Sequence, residues 1–200
     1  MNKKSLGLTI TSSILGVIAL LGLFFGIWWI SVSNQINNRY QDCEQQWSQV
    51  ENVMQRRADL IPNLTAAVKG SMTQEQKVFG KIAEARKAYR SADTPVDKMK
   101  ADAKLEQSTG MLINVIHENY PQLASNQRVA DLMVQLEGSE NRIAVERRNY
   151  IQDVRAYNQL IVNFPSSIVA NAKNQHQLQY YQADKTAQKA PKVKFALGDN

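Results

Sequence analysis

Two hydrophobic patterns divide the chain. From Leu6 to Ile30 no charged residue interrupts an apolar run, and from Ile36 onward apolar residues recur in alternating steps of four and three among polar ones. A helix over the first stretch, rising ~1.5 Å per residue, exceeds the ~30 Å hydrocarbon core of a bilayer, which predicts a transmembrane helix over about 6–30. Trp28 and Trp29 close the run, as suits aromatics that sit at a headgroup boundary. A secretory signal is the competing reading, because Ser31-Val32-Ser33 offers a small-x-small triplet. Signal cores are shorter, roughly 7 to 15 residues, so an uncleaved anchor over 1–33 is expected. Cys43 has no lipobox before it, so it does not suggest a lipid anchor.

The second pattern is a heptad-like seam. It runs through Ile36, Tyr40, Cys43, Trp47, Val50 and Met54, and keeps its register through Arg57, Ile61, Leu64, Val68, Ser71, Glu75, Val78, Ile82, Ala85 and Tyr89. Pro62 lies in the middle, which predicts a kink or short break near Leu60 to Asn63, with Gly70 a second soft point. Asp93 or Thr94 caps a second helix opened by Pro95, running over about Val96 to Glu118 and ended by Tyr120-Pro121. A third starts near Leu123, with a seam at Val129, Met133, Leu136, Glu140, Ile143, Arg147, Tyr150, Val154, Tyr157, Ile161 and Phe164. Pro165 ends it, and 166–172 restarts a short helix.

No stretch alternates with period two, so the expected fold is all-α: a transmembrane helix followed by an elongated antiparallel bundle of long helices over 34–172. The last segment, 173–200, is rich in Lys, Gln, Ala and Asp. It reads as a mobile polar tail, with a possible docking segment at Val193 to Phe195.

Within the span, Ser12, Gly16, Ala19, Gly22 and Gly26 fall on one face. Small residues so placed let membrane helices pack closely, although glycine and alanine are also common in such helices. Lys3 and Lys4 precede the span, and Arg39 after it is offset by Asp42 and Glu44, which predicts a cytoplasmic N-terminus and an exported bundle, periplasmic or extracellular. In the soluble part, four charged residues take seam positions: Arg57, Glu75, Glu140 and Arg147. Burying any of them alone costs several kcal/mol. Either they pair with each other and set helix register, or the seam opens there into a polar groove or subunit contact.

No catalytic constellation, cofactor motif or metal-ligand set is found. His117 and His176 stand apart, and His117-Glu118 lacks the second histidine of a zincin helix. The single cysteine, Cys43, lies on an apolar stripe, as a small buried hydrophobe does. P-loop, GxGxxG and GxSxG motifs are absent. The net charge is +6, with a pI near 9.4. The positive charges are interleaved with carboxylates rather than clustered with aromatics, so neither nucleic acid nor a small-molecule substrate is expected. Arg56-Arg57, Arg147-Arg148 and the lysines of the tail suit either anionic lipid headgroups and wall polymers or plain solvation of helix faces.

Gln55 to Leu64 (QRRADLIPNL), Val68-Lys69-Gly70, Glu75 and Ala85-Arg86 resemble the first-helix signature of the LemA family. The run Leu136-Glu137, Glu140 to Ala144, Arg148-Asn149-Tyr150, Tyr157-Asn158 and Asn163-Phe164-Pro165 resembles its third helix. Tyr120-Pro121-x-Leu123 and Pro191 to Phe195 fit as well, whereas Lys173 to Tyr181 is less aromatic than the family pattern. The resemblance implies a bacterial envelope protein with one membrane helix, an elongated helical bundle and no enzymatic activity to carry over. The expected role is a non-enzymatic scaffold at the cell membrane that self-assembles as a homo-oligomer, touches lipid and holds envelope proteins. The alternative is an adaptor or sensor for an envelope protease or stress-response partner; remodelling of the membrane by the oligomer is a third.

Overall fold

A computed structural model describes residues 3–180, with side chains from Ser13 onward. The described residues form six helices and no strand: α1 (Lys3–Lys69), α2 (Gln76–Arg90), α3 (Pro95–Asn119), α4 (Pro121–Ala124), α5 (Gln127–Val162) and α6 (Ser166–Ala172). The expectations for 181–200, the docking segment included, lie outside the described residues.

Of the kink or short break expected near Leu60 to Asn63, the break does not occur. α1 continues through Pro62 and ends at Lys69, one residue before Gly70. Ile61 and Leu64 on either side are fully buried. Core packing thus holds both flanking turns while the proline forfeits one hydrogen bond. The Val68 carbonyl then accepts from Ser71 N and Met72 N, and buried Met72 seals the turn into α2. Thr94 caps α3, its hydroxyl accepting from Asp97 N at 3.1 Å ahead of Pro95. Asn126 caps α5 by accepting from Arg128 N and Val129 N.

The helices run up, down, up and down. α2 turns back so that Arg86, Tyr89 and Arg90 lie level with Gln55 to Asp59 of α1. α3 rises beside α1, Lys98 meeting Glu51 and Asp102 meeting Arg57. α5 descends the length of α1: Trp47 faces Tyr150 with ring centroids 5.5 Å apart, and Tyr40 faces Tyr157 at 5.8 Å. The bundle therefore has two storeys. Nearest the apolar run, α1 and α5 make a two-helix stalk around Ile36, Cys43, Val50, Val154 and Ile161. Beyond Met54, α2 and α3 join them in a four-helix head built on Leu64, Tyr89, Leu105, Leu112 and Ile143. Both expected seams lie mainly inward.

Some seam positions depart from their spacing: Tyr40, Ser71 beyond the end of α1, and Glu140 beside buried Ser139 are exposed, and so is Phe164. Phe164 is 81% exposed because α5 ends at Val162 and Asn163 is extended, which takes the next residue off the helical face. The start of the expected mobile tail is also held. Asn174, with φ 52°, reverses the chain after α6. Lys173 Nζ then donates to Ser33 Oγ and Asn37 Oδ1, and Tyr157 OH donates to Gln175 Oε1 at 2.8 Å. Asn158 grips the Leu178 backbone at both ends, donating to its carbonyl and accepting from its N–H, each at 2.9 Å.

Candidate functional site

The densest chemistry lies where α1, α3 and α5 converge in the head. Asp102 of α3 is fully buried, and its carboxylate takes Arg57 of α1 on one oxygen, 2.5 Å from Nη2, and Arg147 of α5 on the other. Arg57 Nη2 also donates to the Asp102 backbone carbonyl at 3.1 Å. Glu106, one turn along α3, sits 3.4 Å from Arg57 Nη1 and 4.0 Å from Arg147 Nη1. Burial pushes the Asp102 carboxyl above its ordinary value, opposed by the two guanidiniums. Glu140 of α5 is raised too, by partial burial first and then by the charge of Glu106 and a hydrogen bond to it.

Of the four charged seam residues, the structure brings Arg57, Arg147 and Glu140 to this node and leaves Glu75 out of it. The arginines pair with α3 carboxylates rather than with Glu75 or Glu140. Glu75 lies in the turn before α2, where its carbonyl accepts from Val78 N and Phe79 N. The residue at the centre of the node, Asp102, was not among those singled out. Its signal is the spacing Met99, Asp102, Leu105, which sets a carboxylate in an apolar stripe.

Two further clusters flank the node. Toward the head's side, Asp59, Arg86, Arg90 and Lys98 line a small polar crevice beside buried Tyr89; Lys98 Nζ lies 5.6 Å from the Tyr89 ring centroid and 2.5 Å from Glu51 Oε1. On the stalk, Tyr40, Tyr157, Gln175 and His176 line a shallow groove closed by the returning chain. Cys43 beneath it is 2% exposed, and burial pushes its thiol up to about 11, helped by the charges of Asp153 and Asp42. The same surroundings disfavour thiolate chemistry. His117 ends α3 on the surface, away from His176. Among the described residues no three His, Cys, Asp or Glu side chains converge as metal ligands do.

Before Trp28 the apolar run packs against no other element among the described residues. Its most apolar window has a mean hydropathy of 2.3 and none of it is buried against the rest of the chain. A Cβ added at Gly16, Gly22 or Gly26 meets nothing within 4 Å, and Ala19 is exposed beside them. The side chain of Ser12, the fifth member of that face, lies outside the described residues.

The LemA family model matches residues 46–195, three quarters of the chain. The chain belongs to the LemA family. Comparison with curated proteins returned no match. The LemA match covers α2, α3 and α5 whole and the last third or so of α1, so the charged node lies within it and the apolar run outside it. In this LemA protein, then, the node belongs to the family domain and the apolar run begins before it. Chemically the node can lock three helices in register through opposite charges.

Proposed function

We propose that this LemA protein is a non-enzymatic, single-span scaffold of the bacterial cell membrane, with its N-terminus cytoplasmic and its bundle exported. The observation that carries this reading is the continuity of α1. One helix holds the apolar run and the first strut of the bundle with no break at their junction. The described residue beyond the span and the end of α1, Ser31 and Lys69, stand roughly 57 Å apart at ~1.5 Å per residue. Such a strut fixes the height and direction of the head above the bilayer, which is what a scaffold requires. The interior charges are consumed in holding helices together, and no cofactor or small-molecule ligand is assigned.

Self-association is the second half of the proposal. Gly16, Ala19, Gly22 and Gly26 present an open face on the stretch of α1 that the rest of the chain does not cover, and close backbone approach is how helices associate in lipid. Crosslinking in intact cells followed by mass spectrometry tests both halves. A scaffold yields mostly links between copies of itself. Recovery of a distinct protein in equal amount, with no self-links, overturns the scaffold in favour of an adaptor.

A further inference from the structure

We propose that the corner between α5 and α6 is a second membrane contact, dipping Phe164, with Val162 and Ile168 beside it, into the headgroup layer of the bilayer that α1 crosses. The inference rests on the anchoring reading above and adds a site to it. Three apolar side chains are exposed within this one corner: Val162 at 54%, Phe164 at 81% and Ile168 at 46%. Lone exposed apolar residues are ordinary, but a cluster led by an almost bare phenylalanine marks a contact surface.

Register supplies the occupant. α1 and α5 are antiparallel, and a step of seven from Trp47 to Tyr40 on α1 matches the step of seven from Tyr150 to Tyr157 on α5. One more such step brings position 164 level with Ser33. Because α5 ends at Val162 and the chain is extended at Asn163, Phe164 reaches at least that low. Ser33 stands four to five residues from Trp28 and Trp29, roughly 6–8 Å along the helix. The headgroup layer on each side of a bilayer is roughly 5–8 Å deep. With the tryptophan pair at the hydrocarbon boundary, the corner lies inside that layer.

Packing agrees with this height. Trp28 and Trp29 are half-buried against the core, and Phe25 stacks on both at 5.3 and 6.1 Å. The inner face of α6 is buried through Val169 and Ala170, and Lys173 is bonded to Ser33 and Asn37. The corner is thus held against the foot of α1 while its outer side chains stay uncovered. Interfacial segments typically sink apolar residues by ~5–10 Å, which this geometry permits without unfolding anything.

The test uses the full chain in phosphatidylethanolamine–phosphatidylglycerol vesicles, with Cys43→Ala to leave one reactive thiol. Nitroxide labels are placed singly through Phe164→Cys, Val162→Cys, Ile168→Cys, Phe24→Cys and Val134→Cys; the Val162 and Ile168 labels keep Phe164 in place. Power saturation against oxygen and a water-soluble nickel chelate reads depth. The expected result is a several-fold loss of nickel collisions at 164, 162 and 168 relative to 134, approaching the value at 24. Nickel access at the corner equal to that at 134, with 24 still shielded, overturns the inference and leaves the anchor standing. Nickel access at 24 overturns the anchoring reading itself. Dipolar broadening between labels at 164 that persists when lipid is exchanged for detergent assigns the corner to a second copy and overturns the lipid contact.

Discussion

Arg57 and Arg147 come from helices that run in opposite directions, yet both guanidiniums end on the one carboxylate of Asp102. Three helices are joined at a single buried residue. Removing it leaves the two guanidiniums with only the half-exposed Glu106 carboxylate to share, and breaking a buried charge set in this way costs about 3–5 kcal/mol.

Asp102→Asn is therefore expected to lower stability by about 3–5 kcal/mol, read as the thermal midpoint of helical ellipticity in detergent, whereas Glu106→Gln, at the half-exposed edge of the node, costs under about 1 kcal/mol. Replacing Arg57, Asp102 and Arg147 together by Met, Leu and Met recovers most of the loss, since a packed apolar set of similar volume removes the desolvation cost as well. A triple variant no more stable than Asp102→Asn would show that charge itself is required.

Acid should favour the fold through Glu140. Its folded carboxyl titrates above the ordinary 4.5, so the folded state holds its proton more tightly than the unfolded one. Stability from this group is then gained as pH falls from neutral through the raised value toward 4.5, and is lost as pH rises through the same window. Glu140 stays open to water on one side, which keeps the effect small. Midpoints of the wild type and Glu140→Gln should converge as the pH drops; a constant gap from pH 7 to 4.5 would remove Glu140 from the account.

Pro62 sits in an unbroken helix at the cost of one hydrogen bond. Pro62→Ala restores a donor aimed at the carbonyl of Ala58 and should stabilise the chain by on the order of 1–3 kcal/mol. An unchanged or lower thermal midpoint would mean that the head needs the proline's geometry.

Cys43 should resist alkylation. With the thiol pushed up to about 11, little thiolate exists at pH 8, and the side chain is covered. Maleimide added to the folded protein in detergent should label it at least tenfold more slowly than the same protein in denaturant. Equal rates would place Cys43 on an accessible surface.

Asn158 holds the returning chain by two bonds to Leu178. Asn158→Ala should release that segment at a cost of about 1–2 kcal/mol, read as faster amide exchange over 174–180 with α5 unaffected. Unaltered exchange there would show that the Tyr157–Gln175 contact suffices.

The two long stripes were readable in the sequence because period is a local property. Ile36 to Val68 and Val129 to Ile161 differ from their surroundings within one or two turns, and burial follows those steps. What faces a stripe is set by topology. Arg57 and Arg147 could be recognised as charges on seams, but their shared partner depends on α3 rising between them, which no spacing within α1 or α5 records. The break that Pro62 could have made is absent for a related reason: the propensity to break is local, whereas the burial of Ile61 and Leu64 that overrides it belongs to the whole head. Phe164 kept the step of its seam and lost the face, because Asn163 leaves the helix one residue before it.

If α1 crosses a bilayer as proposed, it also acts as a lever. With no joint between the apolar run and Lys69, a change of about 10° in the tilt of the span swings the far end of the head by roughly 10 Å over its length. Bilayer thickness, which sets the tilt of a span longer than the hydrocarbon core, would thus be reported at the tip as a displacement large enough for a neighbouring molecule to feel.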